Sequence, residues 1–189
     1  MTTEGEFKVS ERNKKLVRDF FETVINKRKP ADISKFVASD GTCGGRALEQ
    51  MVSNPDPTRI LALGTDRLVP PATRRRGGAA DKPDIAAFRD FTEHVLKAFP
   101  DMKVKIESVI AEGDQVVVRW TSTGTHKGEF LGTPPTGRAV PMTNVDIFTI
   151  ENNKIAGVQS HPDSAAVLQA LGHLPETPVA AALGFGGGQ

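Results

Sequence analysis

The stretch from Val140 to Ile150 is rich in valine, isoleucine and phenylalanine, yet it carries an amide and a carboxylate two residues apart, Asn144 and Asp146. On a strand, residues two apart share a face. Glu151-Asn152-Asn153 reads as a three-residue hairpin loop before a returning strand from Lys154 to His161. That loop pairs Ile150 with Lys154 and sets Asn144 opposite Ser160, Asp146 opposite Val158 and Phe148 opposite Ala156. One face then holds Asn144, Asp146, Phe148, Ala156, Val158 and Ser160; the other holds Val145, Ile147, Thr149, Ile155 and Gly157. A carboxylate on an apolar face needs a partner or a purpose, because an unpaired buried charge is costly. Desolvation raises a carboxyl pKa toward the range useful for proton transfer near neutrality, so Asp146 is the first candidate general acid/base. The bland reading of Asp146 is a pair with Arg119 or a place at an exposed edge.

The preceding strand, from Gln115 to His126, divides in the same way. Val116, Val118, Trp120, Ser122 and His126 share one parity, and Val117, Arg119, Thr121, Thr123 and Thr125 the other. The valines and Trp120 suit packing, while a row of arginine and threonines suits a polar cavity. His126 is the second candidate catalytic group. Arg119, Trp120, Asn144, Ser160 and His161 are the candidate polar contacts to a substrate, and Phe148 and Val158 its apolar wall. The nucleophile elbow, the phosphate-cradling glycine loop, the dinucleotide fingerprint and the HExxH helix are all missing. His161-Pro162-Asp163 offers two metal ligands without an evident third, so neither a metal nor a cofactor is expected.

Helices must support these strands. Leu16, Val17, Phe20, Phe21, Val24 and Ile25 recur at helical spacing, which predicts a helix over 9–26 with Ser10 as cap and Pro30 beyond its end. A short helix is expected from Asp32 to Val37. A second long helix is expected over 84–99, capped by Asp84 and stopped at Pro100. Strands follow at 104–111, 115–126, 140–150 and 154–161, and a last short helix from Ser164 to Leu171. Helices first and antiparallel strands later make an α+β domain, 1–172. Residues 40–83, rich in glycine, proline and arginine, read as a long insert or lid with a mobile tip at Arg74–Arg76. Residues 173–189 read as a flexible tail.

Composition narrows the partners. The 24 Lys+Arg against 23 Asp+Glu leave a net charge of +1, which argues against nucleic acid or a membrane surface held by bulk charge. A single cysteine, Cys43, excludes an internal disulfide framework. No apolar run approaches the length of a membrane span, and the first residues are polar, so a cytoplasmic protein is expected. Both faces of the hairpin are largely apolar. The helices can cover one of them, so the other is expected to meet a second copy in a homodimer.

The second half also resembles a known family. Arg119-Trp120-Thr121-Ser122-Thr123-Gly124-Thr125-His126-Lys127-Gly128-Glu129-Phe130-Leu131-Gly132, then Pro135-Thr136-Gly137-Arg138, then Val145 through Ile155, is similar to the SnoaL-like polyketide cyclases. So is the ending from Asp163 through Leu168-Gln169-Ala170-Leu171-Gly172. The resemblance covers roughly 10–39 and 84–172. It implies a cone-shaped α+β barrel of the nuclear-transport-factor-two type, a curved antiparallel sheet around N-terminal helices with an open pocket. It also implies ring closure without metal or cofactor, although relatives on this fold open epoxides, isomerise or only bind.

The resemblance places the acid/base aspartate of ring-closing members at Ser160 here, and their assisting histidine at Asp146. It marks Asp163 as the cap of the last helix. The expected function is a cofactor-free cyclase or isomerase for a hydrophobic polyketide- or terpenoid-type intermediate. Its rivals are a non-catalytic binding or assembly module and, last, an epoxide hydrolase, which would want a second carboxylate.

Overall fold

The computed structural model describes residues 4–43 and 85–174. Most of the expected 40–83 insert, with its Arg74–Arg76 tip, and the tail beyond Leu174 lie outside the described residues. Helix α1, Glu4–Phe20, starts earlier than Ser10. Glu4 and Glu6 sit in its first turn, where carboxylates favour the partial positive charge of a helix N-terminus, and Ser10 is an interior residue. Its exposed side carries the ion pairs Lys8–Glu4, Lys14–Glu11 and Lys15–Asp19, while Asn13, Val17 and Phe20 are buried.

The helix continues into a wide π-helical segment, Phe21–Asn26. There the N–H of Lys27 donates to the carbonyl of Glu22, five residues back, at 2.9 Å. The widening has a structural use. Asn26 bonds the backbone of Val104 like a short strand, Oδ1 accepting at 2.8 Å and Nδ2 donating at 3.0 Å, and so ties the helix end to the sheet. In place of the expected helix over 32–37, a 3-10 turn spans Pro30–Lys35, because Pro30 starts it and Phe36 already leads into a strand. That strand, β1 (Val37–Cys43), has no counterpart in the pattern reading.

Helix α2 (Ile85–Ala98) is followed by β2 (Lys103–Glu112), β3 (Gln115–Thr125), β4 (Ala139–Glu151), β5 (Lys154–Pro162) and α3 (Ser164–Leu171). The described sheet runs β1-β5-β4-β3-β2, antiparallel except where β1 lies parallel to β5. This is the α+β cone: a curved sheet wrapped on the N-terminal helices. Asp163 caps α3 by accepting from the N–H of Ala166 at 3.1 Å, and Gly172 ends it with φ +89°.

The β4–β5 turn corrects the expected register. Asn152 and Asn153 both adopt positive φ, 50° and 61°, which makes a two-residue turn and pairs Glu151 with Lys154. A bulge then shifts the register between Ile150↔Ile155 and Thr149↔Gly157. Beyond it Phe148 faces Val158 and Asp146 faces Ser160. The same bulge turns Ile155 inward, where it is buried, so it does not share the outer face with Val145 and Ile147.

The core divides into two clusters. One joins Val17, Phe20, Phe21 and Val24 to Val116, Val118, Phe148 and Val158. Within it the Phe148 ring lies 6.1 Å from Phe20 and 5.9 Å from Phe21, edge to face, and Phe21 lies 6.1 Å from Trp120. The other joins Leu96, Phe99, Met102, Phe130, Leu131 and Val140 to Leu168 and Leu171 of α3. The loop after β3 is fastened to the end of α2, where Lys127 and Gly128 N–H groups donate to the carbonyl of Ala98 at 2.8 and 3.1 Å. Such contact leaves no room at Gly128. An added Cβ would lie 2.9 Å from Ala98 Cα and from the Lys97 carbonyl, both backbone atoms that cannot step aside. Gly128→Ala is therefore expected to destabilise by about 1–3 kcal/mol, with a melting temperature lower by roughly 2–10 °C in a thermal scan. An unchanged melting temperature would show that the fold does not need this approach.

Candidate active site

Inward-facing positions of β3 and β4 follow from the core. Val116 and Val118 are fully buried, so alternation turns Trp120, Ser122 and Gly124 inward and Arg119 outward. On β4 the same rule turns Asn144, Asp146 and Phe148 inward. The register puts Asp146 between Val118 and Ser160, and Asn144 opposite Trp120.

Asp146 is 5% exposed and receives three hydrogen bonds. Trp120 Nε1 donates to Oδ2 at 2.6 Å, Asn144 Nδ2 donates to Oδ1 at 2.9 Å, and Ser160 Oγ donates to Oδ1 at 2.5 Å. These donors favour the charged form, and so does the charge of His161; burial opposes them and prevails, raising the Asp146 pKa above the ordinary carboxylate value. The two oxygens differ. Oδ1 holds two donors and Oδ2 one, which leaves Oδ2 the freer position for a proton. A buried carboxylate with a raised pKa, held from three sides against Phe148 and Val158, can take and return a proton without moving.

Other expected members of the site lie elsewhere. Arg119 is exposed on the outer face across from Val145, so Trp120 and not Arg119 is the partner of Asp146. His126 follows the end of β3, eight residues past Val118, which is about 26 Å of strand. It is fully buried 5.4 Å from the Phe99 ring, in the second core cluster's surroundings. Its Nδ1 accepts from the Thr136 N–H at 3.3 Å and lies 3.1 Å from Thr136 Oγ1, and burial holds its pKa below the usual histidine value. Such a neutral imidazole braces the 126–138 loop and does not reach Asp146. His161 is exposed opposite Val145 and acts on Asp146 only as a charge.

Trp120, Asn144, Asp146 and Ser160 thus come together, with Phe148 and Val158 one step along the strands. A further inward residue is Ser122, whose hydroxyl is buried without a partner among the described residues, as is Asn144 Oδ1. Its parity with Trp120 was the available signal. Among the described residues, no three His, Cys, Asp or Glu side chains converge as a metal site would require. An open groove of about 390 Å³ between α1 and β2, lined by Arg18, Phe21, Asn26, Ile106 and Ser108 among others, does not include Asp146. No described helix is long and apolar enough to cross a membrane.

Residues 46–171 match the model of the SnoaL-like polyketide cyclase family. Among curated proteins none matches the sequence significantly. Solved structures share the fold. AclR of Streptomyces galilaeus, a candidate hydroxylase, is 23% identical with a TM-score of 0.66, over 93% of this chain and 94% of that one. A candidate polyketide cyclase of Acidithiobacillus ferrooxidans is 23% identical with a TM-score of 0.60, over 85% of this chain and 94% of that one. TsrD of Streptomyces laurentii is 20% identical with a TM-score of 0.62, over 87% and 97%.

The raised pKa of Asp146 has a consequence for stability. The folded protein holds this proton more tightly than the unfolded chain, so the cost of the buried charge is absent below the unfolded pKa and grows as pH rises toward the folded one. Relative to Asp146→Asn, the wild type should lose stability as pH rises above about 4 and level off past the raised pKa, as read by urea unfolding at stepped pH. A difference that stays constant across this range would mean that folding leaves the carboxyl pKa unchanged.

Proposed function

We propose that this chain, which belongs to the SnoaL-like polyketide cyclase family, is a cofactor-free cyclase or isomerase for a hydrophobic polyketide- or terpenoid-type intermediate. The observation that carries this reading is the buried Asp146 carboxylate, gripped by Trp120, Asn144 and Ser160 and raised in pKa by burial. In this mechanism Asp146 Oδ2 removes a proton from the carbon beside a substrate carbonyl, and the resulting enolate carbon attacks a second carbonyl of the same molecule. The new alkoxide takes the proton back from Asp146, so the carboxylate is regenerated and no electrons leave the system. Phe148 and Val158 keep the surroundings apolar, which sustains the basicity of the ionised group.

The rival reading is a binding module that keeps the cone and has lost the chemistry. What favours it is Ser160, a serine where the family resemblance places the acid/base aspartate. An epoxide hydrolase is the weaker alternative, since Asp146 stands among its three donors without a second carboxylate on them. In the proposed setting the protein is cytoplasmic and works as a homodimer through the outer sheet face around Val117, Val145 and Ile147, each half-buried in the single chain.

Two experiments test this. Deuterium exchange at the carbon beside the carbonyl of an aryl ketone, followed by NMR, reads proton transfer without knowledge of the product. Asp146→Asn should slow it at least about a hundredfold with little change in ketone affinity. Ser160→Ala should slow it about tenfold or less, having lost one hydrogen bond of roughly 1 kcal/mol, and should move the pH profile upward because that bond lowers the Asp146 pKa. Exchange unaffected by Asp146→Asn would sink the acid/base role. For the assembly, sedimentation at micromolar concentration should show a dimer that Ile147→Lys dissociates; a monomeric wild type would rule it out.

A further inference from the structure

The donors around Asp146 are already committed. Asn144 turns its amide N–H toward Asp146 Oδ1, so its own carbonyl oxygen points away and has no partner among the described residues. Trp120 and Ser160 spend their only donors on the same carboxylate. Ser122 is two residues along β3 from Trp120 and lies diagonal to Asn144, since Trp120 pairs with Asn144 and Ser122 with Met142. Side chains on such a diagonal have Cβ atoms about 7–8 Å apart or somewhat less, a gap that one bridging oxygen spans with two ordinary hydrogen bonds. The flanks of Ser122 are Val104 on β2 and Met142 on β4, neither of which offers an acceptor or a donor in its place. Both Ser122 and Asn144 are only 7% exposed. Two polar groups buried so deeply are normally satisfied, and here the acceptor and the hydroxyl occupy diagonal positions on adjoining strands, each without a partner among the described residues.

We infer that Ser122 Oγ and Asn144 Oδ1 form a seat for one hydroxyl group of the ligand, which donates to Asn144 and accepts from Ser122. The assignment rests on the acid/base reading of Asp146 for its place in catalysis, because Asn144 bridges the two: one end of its amide holds the carboxylate, the other holds the ligand. A substrate recognised here carries a phenolic or enolic hydroxyl within a few bonds of the carbon that Asp146 deprotonates. An ether at that position fills the seat with a group that cannot donate to Asn144, so O-alkylation should be rejected. Asn144 is then a positioning residue as well as a contact. A ligand hydroxyl pulling on its carbonyl keeps the N–H aimed at Asp146 Oδ1 and leaves Oδ2, which holds only the Trp120 donor, as the oxygen that acts.

Calorimetric titration with 2-naphthol and with its methyl ether tests the seat. The wild type should bind 2-naphthol about tenfold more tightly than the ether, the scale of one or two net hydrogen bonds. Ser122→Ala should abolish that preference by weakening 2-naphthol alone. Equal binding of the two probes, binding of neither up to its solubility, or a preference that survives Ser122→Ala would overturn the seat. A separate readout follows the acid/base reading. Trp120 is the only tryptophan in the chain and bonds Asp146 directly, so its emission should titrate with that carboxyl in the ligand-free protein, in Ser122→Ala as in the wild type, and not in Asp146→Asn. Emission that titrates without any naphthol preference removes the seat and leaves the carboxylate's role. A naphthol preference without titration leaves a binding seat and removes the proton carrier.

Discussion

Placing a carboxylate on the inner face of the sheet is the constraint around which the rest of this structure is arranged. An isolated ionised carboxyl in such a place is far more costly than any single apolar contact is favourable. The chain meets that cost with donors drawn from three strands: the indole N–H from β3, the amide from β4 and the hydroxyl from β5. Each donor requires its strand to sit in register to within one residue, because a slip by one would turn the side chain to the other face. Packing supplies that register. Phe148, one inward position beyond Asp146, is held between Phe20 and Phe21, and Phe21 also meets the ring of Trp120. Core and site are therefore one device, in which the aromatic cluster fixes the donors and the donors hold the charge.

Much of this was legible from residue types alone. The helix over Ser164–Leu171, the four later strands to within a residue or two, and the inward placement of Asn144, Asp146 and Phe148 all follow from spacing and hydropathy, while Asp163 as the helix cap comes from the family resemblance. Period and parity are local properties, so they survive folding. The elements that pattern could not supply depend on something non-local. Strand β1 is short and polar, and it exists because β5 offers it an edge. The π-helical segment exists because Asn26 must reach Val104. The two-residue turn needs left-handed backbone at both Asn152 and Asn153, which asparagine tolerates but does not announce.

The misplacements at the site have an equally physical origin. A row of threonines with an arginine resembles a polar cavity, but valines at 116 and 118 compete for the same interior and bury more apolar surface, so Arg119 goes to solvent. His126 shares the inward parity of Trp120, and parity carries no information about distance along the strand. It reaches the far end of the sheet, where the aromatic ring of Phe99 and the N–H of Thr136 make a neutral imidazole the favoured form.

The register also bears on the departure from the family pattern. The resemblance puts the proton carrier of ring-closing relatives at position 160 and its helper at 146, whereas this chain has serine and aspartate there. With the three-residue loop those two positions would be offset along the hairpin, and exchanging their chemistry would move the carboxylate away from its surroundings. In the structure they face each other directly, one interstrand spacing apart, and they bond through Ser160 Oγ and Asp146 Oδ1. An exchange between directly opposed residues displaces the charge by only about 5 Å, but from the exposed position 160 to the buried position 146. What changes more is the set of neighbours. On β4 the carboxylate comes within reach of Trp120 and Asn144, and the serine left on β5 becomes a third donor to it. A carboxylate at 146 is thus buried where one at the exposed position 160 would not be, and burial raises its pKa while the donors around it oppose that rise.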